Sequence, residues 1–171
     1  MTSGRLIAIG LVAAGVIAGV AMYWLQVHAF YDRLPAQETV RLTPLGAVAP
    51  VAVPVRGFEG IDSDSSPIRF RACFTLDAPG QPLTPYADAT PLNAPGWFSC
   101  FDAAAIGAAL RSGEAQAVLG EANLRYGIDR VVALFPDGRA YAWHQINRCG
   151  AAHFDGNPLP PGCAPPPSEA R

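Results

Sequence analysis

The sequence contains no lysine: all twelve of its positive charges are arginine, set against fourteen acidic residues for a net charge of −2. A P-loop needs the lysine of its G-K-[ST] motif, a protein kinase needs its strand lysine, and Schiff-base chemistry needs a lysine amine. All three are excluded. The arginines never run together, so the basic footprint of a nucleic-acid-binding surface is also missing. Neither nucleotides nor nucleic acids are expected partners. No two cysteines are spaced as CxxC, which removes thioredoxin-like, zinc-ribbon and c-haem patterns. G-x-S-x-G, S-x-x-K and HExxH are absent too. A triad drawn from Ser99 or Ser112, His144, and Asp129 or Asp137 would have no motif behind it. No catalytic residue is assigned, no cofactor is expected, and the chain reads as a non-enzyme.

What is present begins with Leu6–Leu25, LIAIGLVAAGVIAGVAMYWL, which carries neither charge nor proline. At ~1.5 Å per residue it reaches ~30 Å, the thickness of a bilayer's hydrocarbon core. It is read as an uncleaved transmembrane anchor with the lipid bilayer as its partner. The rival reading, a cleaved signal peptide, has Gly19-Val20-Ala21 in its favour; the length of the apolar run and the aromatics after it argue against it. Arg5 before the run places the N-terminus inside and the rest of the chain outside. Tyr23 and Trp24 fall where an interfacial aromatic belt belongs. Ala14, Gly15, Ala18 and Gly19 form small-residue pairs four apart, a helix-packing face for another membrane protein or a second copy of the chain.

The segmentation that follows is 1–5 N-terminus, 6–27 anchor, 28–56 juxtamembrane linker, 57–150 extracytoplasmic α+β domain and 151–171 proline-rich tail. Thr39–Thr43 predicts a short strand, and Pro44, Pro50 and Pro54 argue against a central strand there. Asp62-Ser63-Asp64-Ser65-Ser66 places oxygen groups at alternate positions, as a calcium loop does. It lacks the central glycine and the distal glutamate, so it reads as a polar turn. Ile68–Leu76 alternates, with Ile68, Phe70, Ala72 and Phe74 on one face and Arg69, Arg71 and Cys73 on the other, predicting a half-buried strand. Arg69 and Arg71 are then exposed, for salt bridges or an anionic partner. The proline-rich run 77–96, including Pro79, reads as a long surface loop. Ser99 and Asp102 have capping-box spacing before a helix from Phe101 to about Arg111, which Gly113 ends. A second helix is predicted from Glu114 to about Leu124, with Ala115, Val118, Leu119 and Ala122 on one face. Ile128–Phe135 and Ala140–Ile146 flank Pro136-Asp137-Gly138 and predict a β-hairpin. The chain past Cys149 is expected to be extended.

Four cysteines after an export signal read as two disulfides. Spacing favours Cys149 with Cys163, leaving Cys73 with Cys100, and each bridge stabilises by about 2–4 kcal/mol. The competing use of His144, Cys149, His153 and Cys163 is a copper or zinc site, because thiolate and imidazole suit those metals. Together these elements define an α+β fold: an N-terminal transmembrane helix, then a small antiparallel sheet with one or two helices on one face, stapled by disulfides.

Three stretches, the anchor running into AMYWLQVHAFYD, then GIDSDSSPIRFRACF and YGIDRVVALFPDGRAYAWHQINRCG, resemble a bacterial domain-of-unknown-function family of small single-pass membrane-anchored proteins. The resemblance implies an inner-membrane protein with its domain in the periplasm and carries no catalytic residues. Such proteins are sometimes labelled histidine kinase. This sequence has no Gly-rich nucleotide lid and no dimerising phospho-acceptor helix pair, so it does not support that label. The expected role is protein–protein interaction, as an accessory subunit or assembly factor of a membrane complex. The alternative is a metal- or ligand-binding module.

Overall fold

The computed structural model describes residues 3–77 and 80–167. Expectations for Met1, Thr2, Pro79 and the last four residues lie outside these. The chain divides into two compact units, one ending at Tyr31 and one starting at Asp32.

The first unit is helix α1, Ser3–Val27. It is long and apolar enough to cross a membrane, and none of its residues is buried. Its last turn is closed by the His28 N–H donating to the Trp24 carbonyl, and the His28 ring stacks on Trp24 with centroids 4.7 Å apart.

The second unit is built on one antiparallel sheet. Its strands are β1 (Asp32–Arg33), β2 (Thr39–Leu42), β3 (Val51–Asp62), β4 (Arg71–Leu76), β5 (Gln116–Arg125), β6 (Ile128–Leu134) and β7 (Arg139–Ile146). The order is β1-β3-β4-β7-β6-β5, with β2 also on β3. β1 and β2 pair with opposite ends of β3, whose register slips between Arg56 and Glu59 where it meets β4. The sheet curls back on itself. Beyond β2, the Thr43 N–H donates to the Leu119 carbonyl of β5 (3.0 Å) and the Thr43 hydroxyl to the Gly120 carbonyl (2.8 Å).

The curl encloses the inner face, and the outer face is covered over β4, β6 and β7 while β2, β3 and β5 leave much of theirs exposed. The inner face gathers Val40, Leu42, Val55, Phe58, Phe70, Ala72, Phe74, Val118, Val132, Ala140 and Ala142. Period-2 alternation sends their neighbours outward. There Val131 and Trp143 are fully enclosed and Phe101 meets the Tyr141 and Trp143 rings edge-on. Helix α2, Ala103–Ser112, contributes buried Ile106 and Ala109.

Several local expectations are corrected. The cap of α2 is Asp102, whose carboxylate accepts from the Ala104 and Ala105 amides; Ser99 lies outside the helix. Gly113 does end it, in the left-handed conformation (φ 77°) that glycine tolerates without a Cβ clash. The helix expected over 114–124 is strand β5, paired with β6 from Gln116↔Leu134 to Arg125↔Ile128. Apolar side chains at 115, 118, 119 and 122 fit a helical stripe, but a bonding partner lies one tight turn away, and long-range pairing overrides the local pattern. The stretch 28–56 is no linker in its second half: it holds β2 and half of β3. Pro54 is accommodated opposite Thr39, where β3 pairs with β2, and β4 joins only from Val55 onward. The start of the tail forms helix α3, Arg148–Phe154, because the Asn147 side chain caps it by accepting from the Cys149 and Gly150 amides.

Candidate functional site

Hairpin β6–β7 supplies most of the polar chemistry. Its Pro136-Asp137-Gly138 turn forms as its residues predict, with the Gly138 N–H donating to the Phe135 carbonyl at 3.0 Å. Asp129 and Arg130 of β6 are consecutive and so face opposite sides of the sheet.

On the outer face Asp129 is buried and accepts three hydrogen bonds. They come from the Tyr86 hydroxyl (3.1 Å), the Asn123 backbone N–H (2.8 Å) and the Asn147 amide (2.9 Å). Burial, reinforced by the Asp129 carboxylate, pushes the Tyr86 hydroxyl above the usual tyrosine range. Beside this network runs a groove of about 510 Å³ lined in part by Tyr86, Asp88, Gln145, Asn147 and Arg148. The polar groups here hold each other. Gln145 accepts from the Thr90 N–H and the Trp143 indole and donates to the Asp88 carbonyl. One close approach underlies this corner: a Cβ on Gly127 (φ 77°) would lie 2.3 Å from Gly150 Cα.

On the inner face the Arg130 guanidinium donates to His144 Nε2, both Nε and Nη2 lying 3.1 Å away. His144 Nδ1 is 2.8 Å from the Pro67 carbonyl. Phe70 stacks on the imidazole at 4.5 Å, and Arg130 Cζ sits 4.3 Å from the Phe70 ring centre. Burial, then the neighbouring Arg130 charge, lowers His144 to about 4, so the ring is neutral at ordinary pH.

The predicted site residues fall as follows. Cysteine bridges join Cys73 to Cys100 and Cys149 to Cys163. That corrects the metal-site alternative: Cys149 and Cys163 are bonded to each other, and His144 is engaged by Arg130 and Pro67. His153 meets Tyr126 edge-on. Among the described residues no group of three His, Cys, Asp or Glu side chains is placed to hold a metal ion. The hydrolytic set is not assembled either, because Asp129 and His144 face opposite sides, Asp137 pairs with Arg139, and the Ser112 hydroxyl donates to the Ala109 carbonyl. Asp62–Ser66 is a polar turn in which Asp62 accepts from the Ser63 N–H and the Ser63 and Ser65 hydroxyls bond at 2.8 Å.

Arg71 differs most from its expected place. The strand begins at Arg71, and this side chain is 3% exposed. Its guanidinium donates to the carbonyls of Ile68, Phe70, Leu92 and Asn93. It clamps the 92–93 segment over the sheet. Arg69 instead donates to the Ser65 hydroxyl. Ala14, Gly15, Ala18 and Gly19 lie on α1, and a Cβ on Gly15 or Gly19 would meet nothing within 4 Å. Of the two polar networks, the sequence names Asp129 and His144 but for other chemistry, and it does not single out Arg130, Tyr86 or Asn123; a sign of the networks is charged residues inside an otherwise apolar strand.

These features define the class: a small, curled, disulfide-stapled α+β domain that follows an apolar helix long enough to span a bilayer. The family model of a family of unknown function, DUF6446, matches residues 40–164. The chain belongs to that family. No curated protein and no solved structure matches it.

Proposed function

We propose that this is a single-pass protein of the bacterial inner membrane, with its N-terminus inside and its domain in the periplasm, that works by binding other proteins as an accessory subunit or assembly factor of a membrane complex. One observation carries the reading. α1 is apolar on every side, with Leu11 70%, Ile17 69% and Val20 65% exposed, and none of its residues is buried. So much apolar surface requires lipid or another helix around it. The two disulfides support an oxidising compartment for the domain. The polar networks, satisfied from within, support a scaffold more than a catalyst.

Within the membrane, Ala14, Gly15, Ala18 and Gly19 are the face offered to a partner helix, from another membrane protein or from a second copy. The test is crosslinking in intact membranes, followed by detergent extraction and native gels. A discrete complex that Gly15→Ile and Gly19→Ile dissolve is the expected result. Migration as a free monomer at native abundance refutes the reading, and a mature chain starting near residue 22 refutes the anchor.

A further inference from the structure

On the inner face, hydrogen bonding dictates where a proton sits. A guanidinium only donates, so the His144 Nε2 that two Arg130 nitrogens approach at 3.1 Å is an acceptor without a proton. The ring's proton is therefore on Nδ1 and is donated to the Pro67 carbonyl. The charges that act most on this ring are all positive: Arg130 of β6, which bonds it, then Arg71 of β4 and Arg125 of β5. Arg130 in turn faces Glu121 of β5, Asp62 of β3 and Arg41. A proton arriving on Nε2 turns an acceptor into a donor and sets a cation against Arg130, while the Nδ1 bond to Pro67 survives.

We propose that His144 and Arg130 form an acid-operated latch: protonation of Nε2 from solvent expels Arg130 from the ring toward Glu121, which loosens the closure between β2 and β5. Glu121 is opposite Arg130 in the strand register. Its Oε2 lies 3.5 Å from Arg41 Nε, an ion pair that joins β2 to β5. The closure bonds from Thr43, just past β2, to Leu119 and Gly120 of β5 lie within two residues of this pair on each side. An Arg130 that turns to Glu121 competes with Arg41 at this seam. Asp62 is the other carboxylate near Arg130. Glu121 is the destination because it is the carboxylate set directly opposite Arg130 in the pairing of β5 with β6.

The test uses the whole protein in detergent micelles, with ¹⁵N-labelled histidine assigned through His28→Gln and His153→Gln. At neutral pH the His144 signals show a proton on Nδ1 and none on Nε2, and the ring titrates near pH 4. Amide exchange, corrected for its intrinsic pH dependence, shows Thr43 protection falling about tenfold from pH 6.5 to 4. His144→Gln keeps a non-titrating acceptor and Glu121→Gln removes the destination, so each abolishes that fall. A proton on Nε2, titration near the ordinary histidine value, or equal loosening in His144→Gln overturns the proposal. The first two are read on the unaltered protein, so a variant that misfolds does not protect it.

Discussion

Asp129 and Arg130 are neighbours in one strand, yet they are held by partners of different kinds. Asp129 accepts from a phenol, a backbone amide and an asparagine amide, donors that stay neutral between pH 4 and 7. Arg130 is a cation held by an imidazole, a ligand only while that ring is neutral. The same sheet is therefore braced on its outer face by partners that do not titrate and on its inner face by one that does. What decides is the donor and acceptor chemistry of the partners; both central residues are charged and half-buried or buried.

The largest expected effect breaks the outer corner sterically. A Cβ on Gly150 would lie 2.3 Å from the Gly127 carbonyl oxygen. Gly150→Ala should destabilise by about 3 kcal/mol or more in urea unfolding, because backbone meets backbone and neither side chain can move aside. The next sharpens the titrating inner face. His144 folds with its value near 4, below the 6.5 of the unfolded chain, so between the two the unfolded state alone binds the proton. Its contribution is complete above pH 6.5 and lost as pH falls toward 4. The stability of the protein relative to His144→Gln should drop by about 3 kcal/mol across that window. Asp129→Ala should cost about 2 kcal/mol near pH 7, since it removes the acceptor of three donors, some of which water can reach. Tyr86→Phe removes one of those bonds and should cost about 1 kcal/mol with no pH dependence of its own. Smallest of all, a thiol count on the native protein should find nothing to alkylate, and four thiols after unfolding and reduction; any native thiol would contradict the bridges that close the domain.

The β6–β7 hairpin was legible because its two apolar runs and its Pro-Asp-Gly turn report the same local geometry. Helix α2 was legible through Gly113 and the short polar residues ahead of it, although the cap is Asp102 and not Ser99. Strand β5 was not. Val118 and Leu119 satisfy a helical stripe and a strand pair equally well, and the choice belongs to β6. Arg71 was read as exposed because an arginine alternating with apolar residues fits a one-sided sheet. Burying it took four carbonyls from loops on either side of β4, which no spacing announces. The Asp129 and His144 networks were hidden for the same reason: Tyr86, Pro67 and Asn123 are distant in sequence or unremarkable in type.

By itself the sequence determined the apolar α1, the presence of two disulfides and the class of the fold. These follow from composition, run length and short-range spacing, which act within a few residues. Tertiary structure alone decided that the sheet curls until β2 reaches β5, that segment 116–125 is extended, that Arg71 is enclosed, and which groups hold His144. Backbone bonds and buried polar groups must be satisfied wherever the chain brings them, and their partners here lie tens of residues apart.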